Sequence, residues 1–193
     1  MRDQHDIDGL IRRFPIGDHV TGHVRSFFAA QQRAGVFVAL AGAVQGFIDG
    51  EHLPGNPGQW PPAGATIDAE ILRHDIRGRS HPQPVQVRLW PLDARLRNPR
   101  ATHWGIDQQT WAIARTRYPV GSLVTGTVTS ISPGNRWATV AFGELWGRHT
   151  WLDAAPTIGE TRPYVITKAL DSTHRFILAP VNDPQDRDLR RPD

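Results

Sequence analysis

Asp75 with Arg79, and Asp171 with Arg175, are two acid–base pairs of the same four-residue spacing. A pair of this kind either closes a turn or sets a cation beside a bound anion. Its double appearance makes it the first pattern to place. Phe37 is the second. It lies between Val36 and Val38 in GVFVAL (35–40), so in an extended strand the valines share one face and the ring takes the other. A ring on the outer face of a strand is a platform on which a base can stack, worth ~1–3 kcal/mol per base. The cations are 21 Arg against the single Lys168. Arg suits phosphate contact and stacking, although a GC-rich coding genome produces the same skew. Arg79, Arg88, Arg95, Arg97, Arg100 and Arg175 are the candidates for phosphate.

Other chemistries find little support. The absence of cysteine removes disulfides, thiolate metal sites and cysteine nucleophiles. The nine His residues show no metal-ligand spacing, so neither a metal nor a cofactor is expected. No P-loop, GxGxxG or GxSxG occurs. Asp49 and Glu51 could be drawn as an acid–base couple, but alternate strand positions give that pattern by chance. No enzymatic activity is expected.

The elements that carry these residues follow from a repeat. PIGDHVTGHV (15–24) returns as PVGSLVTGTV (119–128), with six of ten positions identical at a constant offset of 104. Self-similarity sets the number of folding units, here two. Each copy reads as a Pro-Gly turn and then a strand of alternating β-formers, with a Gly where the strand can bend. In the first copy, strands are expected at 18–28, 35–40, 45–53, 65–75 and 85–90. In the second they fall at 122–132, 137–142, 146–152, 164–170 and 175–180. Trp137 can take the place of Phe37 if Ala138, Val140 and Phe142 face inward. Five short strands with turns at this spacing describe a small antiparallel barrel.

A weakly amphipathic helix is expected over 4–13, ended by Phe14-Pro15. A second, capped by Asp107 over QQTWAIARTR, leads the second copy. The fold is therefore mainly β: two tandem five-stranded barrels, each preceded by a short helix. Residues 1–92 form the first unit, 93–104 a linker, 105–181 the second unit, and 182–193 a charged tail with the composition of a disordered segment. The Pro- and Gly-dense stretches 54–63 and 80–84 read as surface excursions.

Five strands, GVFVAL in strand two, a Gly opening strand three and Asp-x-x-x-Arg between strands four and five together resemble the RNA-binding repeat of ribosomal protein S-one. That repeat is a branch of the oligonucleotide-binding (OB) barrels. The resemblance covers about residues 15–92 and 119–181. It implies a non-catalytic binder of RNA or single-stranded nucleic acid, with translation or the ribosome as its setting. Residue by residue it places Phe28, Phe37, Asp75 and Arg79 in the first copy, and Trp137, His149, Asp171 and Arg175 in the second, on the nucleic-acid face. The chain departs from the pattern where the family has His after the strand-three Gly. Asp49 stands there, an anion that repels phosphate, and His149 comes one residue early.

Barrels of this type also dock proteins, and the alternative reading is an adaptor that uses Trp60, Trp90 and the Pro-rich loops. The charge of +3 and hydrophobic content of 39% describe a globular chain, and no apolar run approaches the ~20 residues of a membrane span. The charged N-terminus lacks the apolar centre of a secretory signal, so a cytoplasmic location is expected.

Overall fold

The computed structural model describes residues 2–28, 34–77, 82–98, 100 and 106–181. Arg79 and the tail from 182 lie outside the described residues, as does the side chain of Phe28. The chain divides into two compact units, Met1–Thr102 and His103–Asp193. The first holds α1 (Arg2–Arg13), β1 (His19–Phe28), β2 (Gly35–Ala39), β3 (Gln45–Asp49), β4 (Thr66–Ile76) and β5 (Val85–Pro91). The second holds α2 (Gln108–Arg117), β6 (Leu123–Ser132), β7 (Trp137–Phe142), β8 (Leu145–Thr150), β9 (Thr161–Leu170) and β10 (Arg175–Pro180).

Each unit is a closed barrel, in the order β1-β2-β3-β5-β4 and its counterpart β6-β7-β8-β10-β9. Strands three and five run parallel in both, and all other pairs are antiparallel. This is the OB arrangement, and the fold class read from the sequence is the one observed.

Strand one closes the barrel because it serves two neighbours. Residues 19–23 of β1 pair with β4 and residues 23–28 with β2, with a bulge between Val24 and Ser26 where the strand turns from one to the other. β6 does the same, with its bulge between Val128 and Ser130.

The identical positions of the repeat are the ones this closure needs. Gly17 (φ +83°) and Gly121 (φ +93°) hold left-handed turns, and their N–H groups donate to Ile71 and Ile166 at 2.8 Å each. Gly22 and Gly126 sit where strand one crosses strand two. A Cβ there would lie 2.5 Å from Val38 Cγ1 and 2.4 Å from Val140 Cγ1. Val24 and Val128 point into the cores.

The interiors are built from alternate strand residues. Val36, Val38, Ile48, Ile71, Val87 and Leu89 are sealed in the first barrel, and Ala138, Val140, Phe142, Ile166, Phe176 and Leu178 in the second. Full burial of such an aliphatic or aromatic side chain contributes roughly 1.5–3 kcal/mol.

The leading helices close the barrels differently. α1 buries Ile7 and Ile11, with Phe14 just beyond its end. The carbonyl of Phe14 accepts from Nε2–H of the buried His74 at 2.7 Å. α2 is capped by Asp107, whose carboxylate accepts from the Thr110 N–H at 2.9 Å. It inserts Trp111, which lies parallel to His174 at 5.5 Å and packs on Phe176 at 4.8 Å.

Two expectations are corrected here. Trp60 and Trp90 are buried, at 8% and 2% exposure. The loop 54–63 folds around Trp60, whose indole N–H donates to Pro54 at 2.7 Å, and Trp90 packs against His52 at 4.9 Å. The stretch read as the start of the linker is bound to the first barrel. Arg97 donates to the carbonyls of Pro91 and Leu92, and Asn98 donates to those of His52 and Glu51. Among the described residues no helix is long and apolar enough to cross a membrane.

Candidate nucleic-acid interface

The outward faces of strands two, three, five and four can be compared row by row, because the registers of the two barrels match. Ile71 and Ile166 receive the same turn hydrogen bond, and the following residue, Leu72 or Thr167, is skipped by a bulge in each. Val38 and Val140 face Gly46 and Gly147. The row Ser26, Phe37, Phe47, Arg88, Arg73 of the first barrel therefore corresponds to Ser130, Thr139, Arg148, Ile177, Lys168 of the second. Asp49 corresponds to Thr150, and Asp75 to Leu170.

In the first barrel this row is a closed set of contacts. The rings of Phe37 and Phe47 lie 4.9 Å apart, and the Arg88 guanidinium sits 4.8 Å from the Phe47 centroid. Arg88 then bridges two carboxylates. Its Nη1 donates to Asp49 Oδ1 and its Nε to Asp75 Oδ2, both at 2.6 Å. Arg73 completes the group, donating to Asp75 Oδ1 at 3.3 Å and lying 3.9 Å from Asp49 Oδ2. That Asp49 oxygen is sealed from solvent and makes no hydrogen bond. Phe37 faces outward as expected, half-buried beside Phe47. Asp75 is partly buried and engaged by two guanidinium groups.

In the second barrel the corresponding place holds an indole under a guanidinium. Arg148 lies 3.7 Å from the centroid of the Trp137 ring. Trp137 projects from the outer face, with Ala138, Val140 and Phe142 inward, as the strand pattern requires. Its position, however, is that of Gly35 and not that of Phe37, where the second barrel has Thr139. Over Gly35 the first barrel lays the Phe47 ring: a Cβ there would come within 2.3 Å of it. Arg148 and Phe47 thus hold equivalent positions and reach the same place.

The remaining candidates are placed elsewhere. His149 corresponds to Ile48, an inward position, and is 3% exposed, its ring 5.9 Å from Tyr164. Arg175 is 1% exposed and donates through Nε to Thr173 at 3.0 Å. It is the first residue of β10, directly after a tight turn in which His174 has φ +46°, so its side chain turns back onto that turn. Neither His149 nor Arg175 is open to a strand on the surface. Asp171 is exposed but accepts from the Trp111 indole at 2.8 Å and from Arg115 at 2.6 Å, fastening α2 to its barrel.

Asp75 and Asp171 do not hold equivalent places, since Leu170 stands at the position of Asp75. Asp75 lies within β4, whereas Asp171 opens a four-residue turn after β9. Arg79 and the Phe28 side chain lie outside the described residues.

Arg148 was missed by sequence reasoning. Aligning Gly46 of QGFID with Gly147 of WGRH would have set it opposite Phe47, beside Trp137. Of the remaining phosphate candidates, Arg95 is exposed and paired with Asp93 at 2.8 Å. Two histidines of the first unit are depressed in pKa: burial opposes the cationic form of His74 and of His52. Among the described residues no three His, Asp or Glu side chains gather as a metal site.

No family model matches the chain. No curated protein matches it either. Among solved structures it is similar to a multidomain protein with nucleic acid binding domains from Streptococcus pneumoniae, at 13% identity and a TM-score of 0.29 over 84% of this chain and 50% of that one. A second similar structure is the CSD456 part of Drosophila Unr, at 10% identity and a TM-score of 0.23 over 86% of this chain and 63% of that one. The chain thus spans half to about two thirds of these two structures.

Proposed function

We propose that this protein is a non-catalytic binder of single-stranded nucleic acid, RNA in the first instance, and that the second barrel supplies the principal contact. One observation carries the reading: the Trp137 indole and Arg148 guanidinium stacked at 3.7 Å on the outward face of β7 and β8. A base stacks on this composite surface while its phosphate meets the positive charge of Arg148, joined along the same row by Lys168. Hydroxyls of Ser130, Thr139 and Thr150 line that face and offer donors to sugar and phosphate. Stacking of this kind tolerates sequence, since every base has a π face. The S-one-like character of the two repeats, a translation- or ribosome-associated setting and a cytoplasmic location belong to the same proposal.

The test is titration of a labelled single-stranded RNA with the full chain over a range of salt. Affinity is expected to fall steeply as salt rises, because released counterions drive phosphate contacts. Trp137→Ala and Arg148→Gln should each weaken binding at least fivefold with unchanged melting of the second unit. Salt-independent binding, or full affinity in both variants, overturns the proposal. The adaptor reading no longer has Trp60 and Trp90 as a contact surface, since both are buried. Partners retained after ribonuclease digestion would revive it.

A further inference from the structure

The cations of the first barrel's outward row are already satisfied from within. Arg88 has its Nε and Nη1 on two different carboxylates at 2.6 Å, so two of the N–H groups that could meet phosphate oxygens are already engaged. Asp75 is shared with Arg73, so two carboxylates offset two guanidinium groups. All four side chains remain partly open to solvent, from 16% for Arg88 to 32% for Arg73. The arrangement is not the most stabilising one these groups could make. Asp49 keeps one oxygen out of water with no hydrogen bond, met there by the Arg73 guanidinium at 3.9 Å. Beside the ion pairs the half-exposed Phe37 ring packs on Phe47, which is 8% exposed and has Arg88 against it, so Phe37 is the ring the row offers. Aromatic surface and guanidinium charge in one row are the components of a single-strand site. The second barrel has the corresponding row without the acids, with Thr150 and Leu170 at the positions of Asp49 and Asp75.

We infer that the outward row of the first barrel is a second single-strand site held shut by its own carboxylates, with Asp49 and Asp75 standing on Arg88 and Arg73 where the phosphates of a bound strand would sit. This rests on the nucleic-acid reading of the protein, and it adds an internal competitor that keeps one barrel silent while the other binds. A strand must displace the carboxylates to enter. The first barrel therefore contributes only when another event removes or neutralises them.

The experiment compares this 193-residue chain with its Asp49→Asn/Asp75→Asn variant, using a labelled oligouridine across a salt series. The amides keep the shape of the carboxylates and remove their charge. The double variant should bind roughly tenfold tighter at low salt, with a salt slope steeper by ~0.7 for each phosphate newly engaged. The gain should persist when Trp137→Ala silences the second barrel, and vanish when Arg88→Gln is added. A rearranged or loosened barrel would produce neither of these dependences.

Unchanged or weaker binding by a normally melting double variant overturns the inference. If the double variant does not fold, Asp49→Asn alone, which leaves Arg88 on Asp75, should give about a threefold gain, and its absence is equally decisive. Wild-type binding lost in Trp137→Ala with no gain from the amides leaves the second-barrel reading intact and this inference refuted. A silent wild type with a binding double variant refutes the second-barrel reading and supports the inference, and silence in both refutes the two together.

Discussion

Arg88 and Ile177 occupy the same place in two copies of one barrel, and the neighbours they meet differ as much as they do. Around Arg88 stand Asp49, Asp75 and a phenylalanine ring; around Ile177 stand the positions of Thr150, Leu170 and Arg148. The first face has spent its charge on itself. The second has no acid at these equivalent positions and exchanges a Phe–Phe contact for an indole stacked with a guanidinium. Closure of the barrel depends on the turn Gly, the crossing Gly and the inward Val, which both copies keep. The face is free of that constraint, since outward strand residues alternate with the core and can change without disturbing it. A duplicated barrel can thus keep its scaffold and separate its surfaces.

The sharpest way to break this contrast is to give the second barrel the acid of the first. Thr150→Asp places a carboxylate beside Arg148, and RNA affinity should fall at least tenfold with little change in the melting of the second unit; retained affinity would mean that the face is not where the strand lies.

Next in size is the contrast between the two aspartates that share a spacing. Asp171→Asn weakens the anchoring of Trp111 and Arg115 and should lower the stability of the second unit by about 1 kcal/mol in urea unfolding, an exposed charge-assisted contact being worth less than a buried one. Its RNA affinity should stay within twofold of wild type.

A pH titration separates the units further. His74 donates from Nε2 to Phe14, so Nδ1, which is sealed without a partner, is the nitrogen that must take up a proton in acid. Burial holds its folded pKa below the ordinary value of 6.5, so the unfolded chain binds the proton more readily. The contribution of His74 to the stability of the first unit is therefore full above pH ~6.5 and declines as pH falls from there toward the depressed folded pKa, with His52 adding in the same direction. His74→Gln should flatten that decline in the thermal melting of the first unit.

The smallest effect is expected from Phe37→Thr, which installs the residue of the second barrel. With the first face closed, RNA affinity should change by less than twofold, and a large loss would show that the first barrel binds without release of its carboxylates.

Much of this was legible before any coordinates. Pro15, Gly17, Gly22 and Val24 with their partners 104 residues on announced two closed barrels, because a left-handed turn and a tight strand crossing admit few residue types. Asp107 announced its helix by capping chemistry, and Phe37 its outward face by the two-residue period of a strand. The Asp–Arg spacing misled for a reason of the same kind. Four residues along the chain specify a position only inside a regular element, and Asp75 is still inside β4 where Asp171 has left β9 for a tight turn. Likewise Trp60 and Trp90 looked exposed because Pro and Gly surround them, whereas the loop folds back to cover its own ring.

Local sequence determined where strands begin, bend and turn, since those choices depend on φ, on the presence of a Cβ and on the alternation of side chains. Which cation meets a ring and which meets a carboxylate was decided only when strands three, four and five came into register. Arg88, Asp49 and Asp75 are 13 and 39 residues apart along the chain and 2.6 Å apart in space. Charge compensation depends on the second of those distances alone.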